Sequence, residues 1–294
     1  MKNTNIQAEK MKIAIVGTGL MGCSMAEGLR DVASEIVGVD NNTGHLQEAL
    51  HRGWIDRSMS LEKAVISADL VIISVPVDAA IKLLPVILDL VGDRSVVIDA
   101  GSVKSAICQS VKDHSRRVKF VAAHPMAGLA VSGPEASDAG LFRNRKVVIC
   151  EHDKTSEHAL DTASFVFGRL GMDIIYMEPG LHDLYVAQIS HLPQVVAYCL
   201  SALTEVPDDK RESMINIASS GFESSTRLAS SPAGMWIPIF EHNSEFLAGS
   251  IDDMIERLSD IRNMIKERKW KSLTRLIEKA NRSREDFLSA YKHL

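Results

Sequence analysis

The sequence predicts an α/β fold, a doubly wound, mostly parallel sheet followed by an all-helical domain. Three observations predict it. From Met11 to about Glu178, short β-branched runs alternate with helical patterns, the signature of parallel strands joined by crossover helices. A glycine-rich turn links the first run to the first helical pattern. Beyond "EPG", residues 178–180, no run reads as a strand and long helical patterns fill the remainder.

In chain order the strand candidates are "KIAIV", "EIVGVD", "ADLVIISV", "SVVIDA", "KFVAA", "KVVIC" and "MDIIYM". Between them apolar residues recur at helical spacing, as in Leu20, Met21, Met25 and Leu29, or Ile81, Leu84, Ile87 and Leu88. The domain boundary falls near Gly180, giving a nucleotide-binding domain over 1–179 and a helical domain over 180–294. In the helical part Phe246, Leu247, Ile251, Met254, Ile255, Leu258, Ile261, Met264 and Ile265 form a stripe. Packing within the monomer or across a dimer explains it better than a ligand does.

Composition excludes several classes. The chain has 294 residues, 46% of them hydrophobic, enough for a sizeable core. A net charge of -5 and scattered cations leave no footprint for nucleic acid. No apolar run approaches the roughly 18 residues of a membrane span. The first ten residues are polar where a signal peptide is apolar, so they read as a disordered lead on a cytoplasmic chain. Cys23, Cys108, Cys150 and Cys199 form no C-x-x-C pair, so neither a disulfide framework nor a metal site is indicated.

"GTGLMG" sets Gly17, Gly19 and Gly22 in a G-x-G-x-x-G pattern between a strand and a helix. Gly17 permits the tight turn, Gly19 admits a pyrophosphate to the backbone, and Gly22 lets helix and strand approach. Leu20 and Met21 open the helix whose N-terminus faces the phosphates. Asp40 ends the second strand, 18 residues after Gly22, at the spacing of an acid that bonds ribose hydroxyls. A carboxylate there repels a 2′-phosphate, so NAD is expected over NADP, a preference that Asn41, Asn42 and Thr43 can moderate. Val75 and Pro76 end the next buried strand, where they line the nicotinamide pocket or, for Pro76, simply start a helix.

"AHPMAG", residues 123–128, delivers His124 to the carboxyl edge of the same sheet. Pro125 restricts His124 to an extended backbone. Ser102, after the strand "SVVIDA", reads as a helix N-cap or as a hydroxyl that bonds His124 or a substrate. His191 lies on a long apolar helix that Pro193 is expected to kink. His182 and Asp183 open that helix, with Asp183 favouring its positive end.

"GTGLMG", "DAGSVKS", "AHPMAG" followed by "SGP", "ISHLP" and "STRLASSPAGMW" resemble, in order and spacing, the prephenate and arogenate dehydrogenases of tyrosine biosynthesis. The resemblance covers the chain from Met11 to the C-terminal helices. It implies a Rossmann-like domain followed by a helical dimerisation domain, hence a homodimer, with the active site between the two. It also implies NAD-dependent oxidation and decarboxylation of prephenate to 4-hydroxyphenylpyruvate. His124 matches the family's catalytic histidine and Ser102 the serine that assists it at the substrate hydroxyl. Arg227 matches the arginine that grips a substrate carboxylate, where a solvated surface charge is the alternative. His191 matches a histidine of the substrate pocket, with a core histidine as the alternative.

Two positions depart from the pattern. Gln194 stands where many members have a second histidine, one turn from His191 and on the same face. Leu129 and Ala130 stand where many have T-E. Both bear on the substrate's identity, because an amide both donates and accepts and so suits a keto group or an ammonium. Arogenate as substrate, giving tyrosine directly, is the nearest alternative. A β-hydroxyacid dehydrogenase would need K-x-x-N after Gly180, which this chain lacks. A non-enzymatic NAD sensor would have no use for His124, Ser102 and Arg227 together. With no module after the helices, allostery through an appended domain is not expected.

Overall fold

In the computed structural model, residues 10–292 are described, and the expected lead lies almost wholly outside them. The strands are β1 (Met11–Val16), β2 (Ala33–Val39), β3 (Arg57–Ser58), β4 (Leu70–Ile73), β5 (Val96–Asp99), β6 (Phe120–Pro125), β7 (Lys146–Cys150) and β8 (Asp173–Met177). Between them run α1 (Leu20–Gly28), α2 (Thr43–His51), α3 (Leu61–Ile66), α4 (Val77–Leu90), α5 (Ser105–Ser110) and α6 (Glu157–Arg169). Every later element among the described residues is helical: α7 (Pro179–Val186), α8 (Leu192–Ala202), α9 (Asp208–Ile217), α10 (Ser220–Thr226), α11 (Ala233–His242), α12 (Ser244–Lys266) and α13 (Trp270–Lys292), with short 3-10 and π turns between some of them.

The strands form one sheet in the order β3-β2-β1-β4-β5-β6-β7-β8. Its first six strands are parallel, the Rossmann arrangement. β1 shows why these residues make strands: Ile13 and Ile15 pack on one face with Met25, Leu29 and Phe167. Ala14 and Val16 pack on the other with Val65, Leu84 and Leu88. With helices on both faces, such strands read as continuous apolar runs, and each fully buried aliphatic side chain stabilises the fold by about 1.5–3 kcal/mol.

One pairing breaks the parallel pattern. β7 runs antiparallel to β6, with His124 opposite Val148 and Pro125 opposite Val147. A parallel pairing needs a crossover, usually a helix, whereas residues 126–145 hold only one short 3-10 turn, Pro134–Ala136. The chain therefore re-enters the sheet at the edge it left, and Met126 N–H bonds the carbonyl of Lys146 at 2.8 Å. The start of the 126–145 loop, Met126 to Leu129, lines the cavities beside His124, while Ser137 and Asp138 bond Leu20 and Ser24 of α1.

Candidate active site

Strand order reverses at β1, between β2 and β4, and ligand crevices of such sheets form at that switch point, outside the carboxyl ends of the strands. The glycine turn lies there. Gly17 has φ +99°, and a Cβ on it would sit 2.5 Å from the carbonyl oxygen of Ser74. A Cβ on Gly22 would stand 1.9 Å from the carbonyl oxygen of Gly17, so α1 can lie this close to β1 only with glycine. Around the Cβ position of Gly19 there is nothing within 4 Å, which leaves space for a ligand against the backbone. α1 starts at Leu20 with no side-chain cap and no acidic first turn, so its first N–H groups face that space.

The crevice is a cavity of about 480 Å³ walled by Gly19, Leu20, Met21, Val75 and Pro76, with Ser102 and His124 at its walls too. Pro76 lines this cavity and also occupies the cap position of α4. Asp40 does not line the cavity. Its Oδ2 accepts from Thr18 N–H (2.7 Å) and Thr18 Oγ1 (3.0 Å), and its Oδ1 accepts from Asn42 N–H (2.8 Å). The carboxylate thus braces the glycine turn. His45, 3.5 Å from Asp40, reaches the cavity wall.

His124 stands on the fully buried β6. Its Nδ1 lies 2.8 Å from His182 Nε2, and His182 Nδ1 lies 2.7 Å from Asp183 Oδ1. With both imidazoles neutral and Asp183 anionic, His182 donates Nδ1–H to Asp183 and its Nε2 accepts Nδ1–H of His124. That leaves Nε2 of His124 unprotonated. Burial, reinforced by His182, Lys104 and His191, holds the His124 pKa well below the ordinary value of 6.5. Burial would raise the Asp183 carboxyl, but hydrogen bonds from His182, Ser105 and Lys104 prevail and keep it below its ordinary value.

Asp183 corrects two sequence expectations. Its carboxylate does not serve its own helix; Oδ1 accepts from Lys104 N–H and Oδ2 from Ser105 N–H, each at 2.8 Å. It thereby caps α5 from another element. Ser102 is consequently not the cap: α5 begins at Ser105, with Lys104 at the cap position. The Ser102 hydroxyl is left beside both cavities that His124 lines. Lys104 is fully buried, with Nζ bonded to Asp99 and to the Ala123 carbonyl, the latter at 2.7 Å. Asp99 in turn accepts from Ala123 N–H (3.0 Å) and Gly101 N–H (2.9 Å). This pair ties the Ser102 loop to the residue before His124.

A second cavity of about 530 Å³ shares Ser102 and His124 with the first and extends toward the helices. Arg227, His191 and Gln194 all line it, as do Leu129 and Ala130. His191 is buried, its Nδ1 accepts from Asn243 Nδ2 at 3.1 Å, and its ring meets Trp236 edge-on at 5.9 Å. Burial drives its pKa down to about 4, with His182 adding and Asp183 opposing. Gln194 donates to the carbonyl of Leu228 at 2.7 Å, which engages one of its N–H groups. The helical backbone runs unbroken over residues 179–202, from α7 through a π turn over Ala187–His191 into α8, and Pro193 stands just past that turn, the irregularity expected where a residue lacks its N–H. The turn brings Ile189, Ser190 and His191 to the cavity, a use of π geometry common at functional sites.

Sequence reasoning did not assign Arg145, Lys104, Asp99 or the pairing of His182 with His124. The adjacent "HD" at 182 and 183 was the available signal, yet only the fold reveals that both side chains reach the β6 edge.

Two family profiles match the chain in tandem: "Prephenate dehydrogenase, nucleotide-binding domain" over residues 25–176, and "Prephenate dehydrogenase, dimerization domain" over 178–279. The prephenate dehydrogenase of Lactococcus lactis is 30% identical over 281 residues, 93% of this chain and 77% of that protein. Among solved structures, prephenate dehydrogenase from A. aeolicus in complex with hydroxyphenyl propionate and NAD+ superposes with a TM-score of 0.80 at 27% identity, covering 94% of this chain and 97% of that one. Synechocystis arogenate dehydrogenase follows with a TM-score of 0.77 at 28% identity, covering 94% and 100%. The glycine turn against α1, the histidine on β6 and the helical second half are therefore one inherited plan, and the chain belongs to the prephenate dehydrogenase family.

Proposed function

We propose that the chain oxidises and decarboxylates prephenate with NAD, with His124 as the base. The observation that carries this reading is the chain Asp183–His182–His124, which presents a bare imidazole Nε2 between the dinucleotide crevice and a cavity lined by Arg227. The open space at Gly19, the uncapped start of α1 and the walls at Val75 and Pro76 suit NAD. Asp40 adds negative charge beside the turn, which disfavours the 2′-phosphate of NADP.

NAD, which Gly19, the start of α1, Val75 and Pro76 would hold, would supply the acceptor for the hydride on the ring carbon that carries the substrate hydroxyl. His124 Nε2 takes the hydroxyl proton as that hydride leaves, a role worth about 10²–10⁴ in rate. Ser102 orients the hydroxyl toward the imidazole. Cleavage of the bond to the ring carboxylate releases CO2, its electron pair passes into the ring and onto the oxygen, and His124 returns the proton there as the ring aromatises. His182 and Asp183 fix the tautomer and ring plane of His124 and so act as positioning residues. Arg227 and His191 hold the far end of the substrate, beside Gln194.

Prephenate is favoured over arogenate by charge. Among the described residues, those that line the substrate cavity include Arg227 and no carboxylate, which suits the carboxylates of prephenate and offers no counterion to the ammonium of arogenate. Supplying NAD with prephenate, NAD with arogenate, and each acid with NADP, and following absorbance of the reduced cofactor, tests this. Turnover is expected to be fastest with NAD and prephenate. Preference for arogenate would overturn the substrate assignment. The helical half is proposed to form a homodimer.

A further inference from the structure

His191 lines the substrate cavity, and the position of its proton is set by Asn243, which does not line it. Asn243 stands between α11 and α12 and is buried. Its Nδ2 lies 2.8 Å from the carbonyl oxygen of Asp183 and 3.1 Å from Nδ1 of His191. A carbonyl oxygen only accepts, so the Asp183 carbonyl decides which way the amide points. Asn243 Oδ1 is left buried with no partner among the described residues. One amide N–H serves Asp183 and the other serves His191, whose Nδ1 is therefore bare. Burial keeps this imidazole neutral, with its pKa driven down to about 4. A neutral ring that is bare at Nδ1 carries its proton on Nε2. That Nε2 pairs with none of the described residues, so its N–H is left to the cavity that His191 lines.

We propose that Asn243 is a positioning residue that holds His191 as a donor-only imidazole, and that this donor makes the cavity select a keto acid over the corresponding amino acid. The inference rests on the reading of this cavity as the place of the substrate side chain. Prephenate and arogenate differ at one position of that side chain, a keto oxygen against an ammonium. His191 Nε2–H bonds the oxygen, whereas it meets the ammonium donor to donor. A site whose polar group is left unpaired by the wrong ligand discriminates more strongly than one that senses size alone. Gln194, one turn away, does not decide between the two, because with one N–H on Leu228 it keeps both a donor and an acceptor. The same Asn243 amide holds the backbone of Asp183, whose carboxylate orients His182.

The two products isolate this difference, because 4-hydroxyphenylpyruvate carries the keto group and tyrosine the ammonium. The test uses the full-length enzyme with NAD present. Nitrogen chemical shifts of 15N-labelled histidine, assigned to His191 by their loss in His191→Gln, are expected to show a bare Nδ1 and a protonated Nε2 at pH 7. Calorimetric titration of wild type is expected to give a Kd for 4-hydroxyphenylpyruvate at least about tenfold below that for tyrosine. Asn243→Leu removes both N–H donors, so it should mix the two His191 tautomers and weaken 4-hydroxyphenylpyruvate by about threefold to tenfold, with no loss for tyrosine. In a His191→Phe background the same change should alter neither affinity further. A protonated Nδ1 in wild type, or equal affinity for the two products, overturns the proposal, and neither readout depends on a variant that folds. An equal loss from Asn243→Leu with and without His191 overturns the route through His191. If wild type turns over neither prephenate nor arogenate, the substrate reading fails by itself, while the tautomer and the two affinities still decide the role of His191.

Discussion

His191 ties the site to the stability of the fold. Its imidazole is buried against Trp236 and Asn243 and has its pKa driven down to about 4, chiefly by burial. The folded protein therefore holds it neutral, whereas the unfolded chain protonates it near 6.5. The unfolded state binds more protons between these values, so the contribution is complete above pH 6.5 and is lost as pH falls toward 4. A shift of this size corresponds to about 3 kcal/mol. Urea unfolding at pH 7.0 and pH 4.5 should show wild type losing more stability across that interval than His191→Asn; equal losses would contradict the account. Single residues were legible only in part. His124, Ser102 and Arg227 stand at the expected cavities because strand ends and motif spacing locate them. Asp183 was misread because its partners, the N–H groups of Lys104 and Ser105, lie 79 and 78 residues away in the chain.

Among elements, all seven expected strands are present; the central ones are continuously apolar because they are buried on both faces, whereas the largely exposed β8 is legible from its β-branched run alone. The eighth, β3, has two exposed residues and no such signal. The antiparallel turn into β7 was also hidden, since direction depends on the connection and not on the strand's own composition. The helices present the other unresolved need. Ile217, Leu258, Ile255 and Phe287 are more than half exposed in the single chain, at a cost that a partner surface would remove. Sedimentation equilibrium should return twice the chain mass of 32.2 kDa, and Leu258→Asp should shift the species toward one chain. A wild-type mass of one chain would contradict dimerisation through these helices.

The whole molecule joins a sheet edge to a helical wall. The sheet supplies the dinucleotide crevice and His124, α7 supplies His182 and Asp183, and the later helices close the second cavity with Arg227, Gln194 and Trp236. Asp183 joins the two halves, because it orients His182 while capping α5. No described helix is long and apolar enough to cross a membrane. The central claim is that His124 acts as a neutral base, kept so by burial and by the neighbouring His182, Lys104 and His191. The most direct test is kcat for NADH formation from prephenate, measured from pH 5 to pH 9 for wild type and His124→Asn. The account predicts a wild-type rate that declines only well below pH 6.5, and a variant slower by about 10² or more across the range. A wild-type acid limb at or above pH 6.5, or near-normal turnover in His124→Asn, would contradict it.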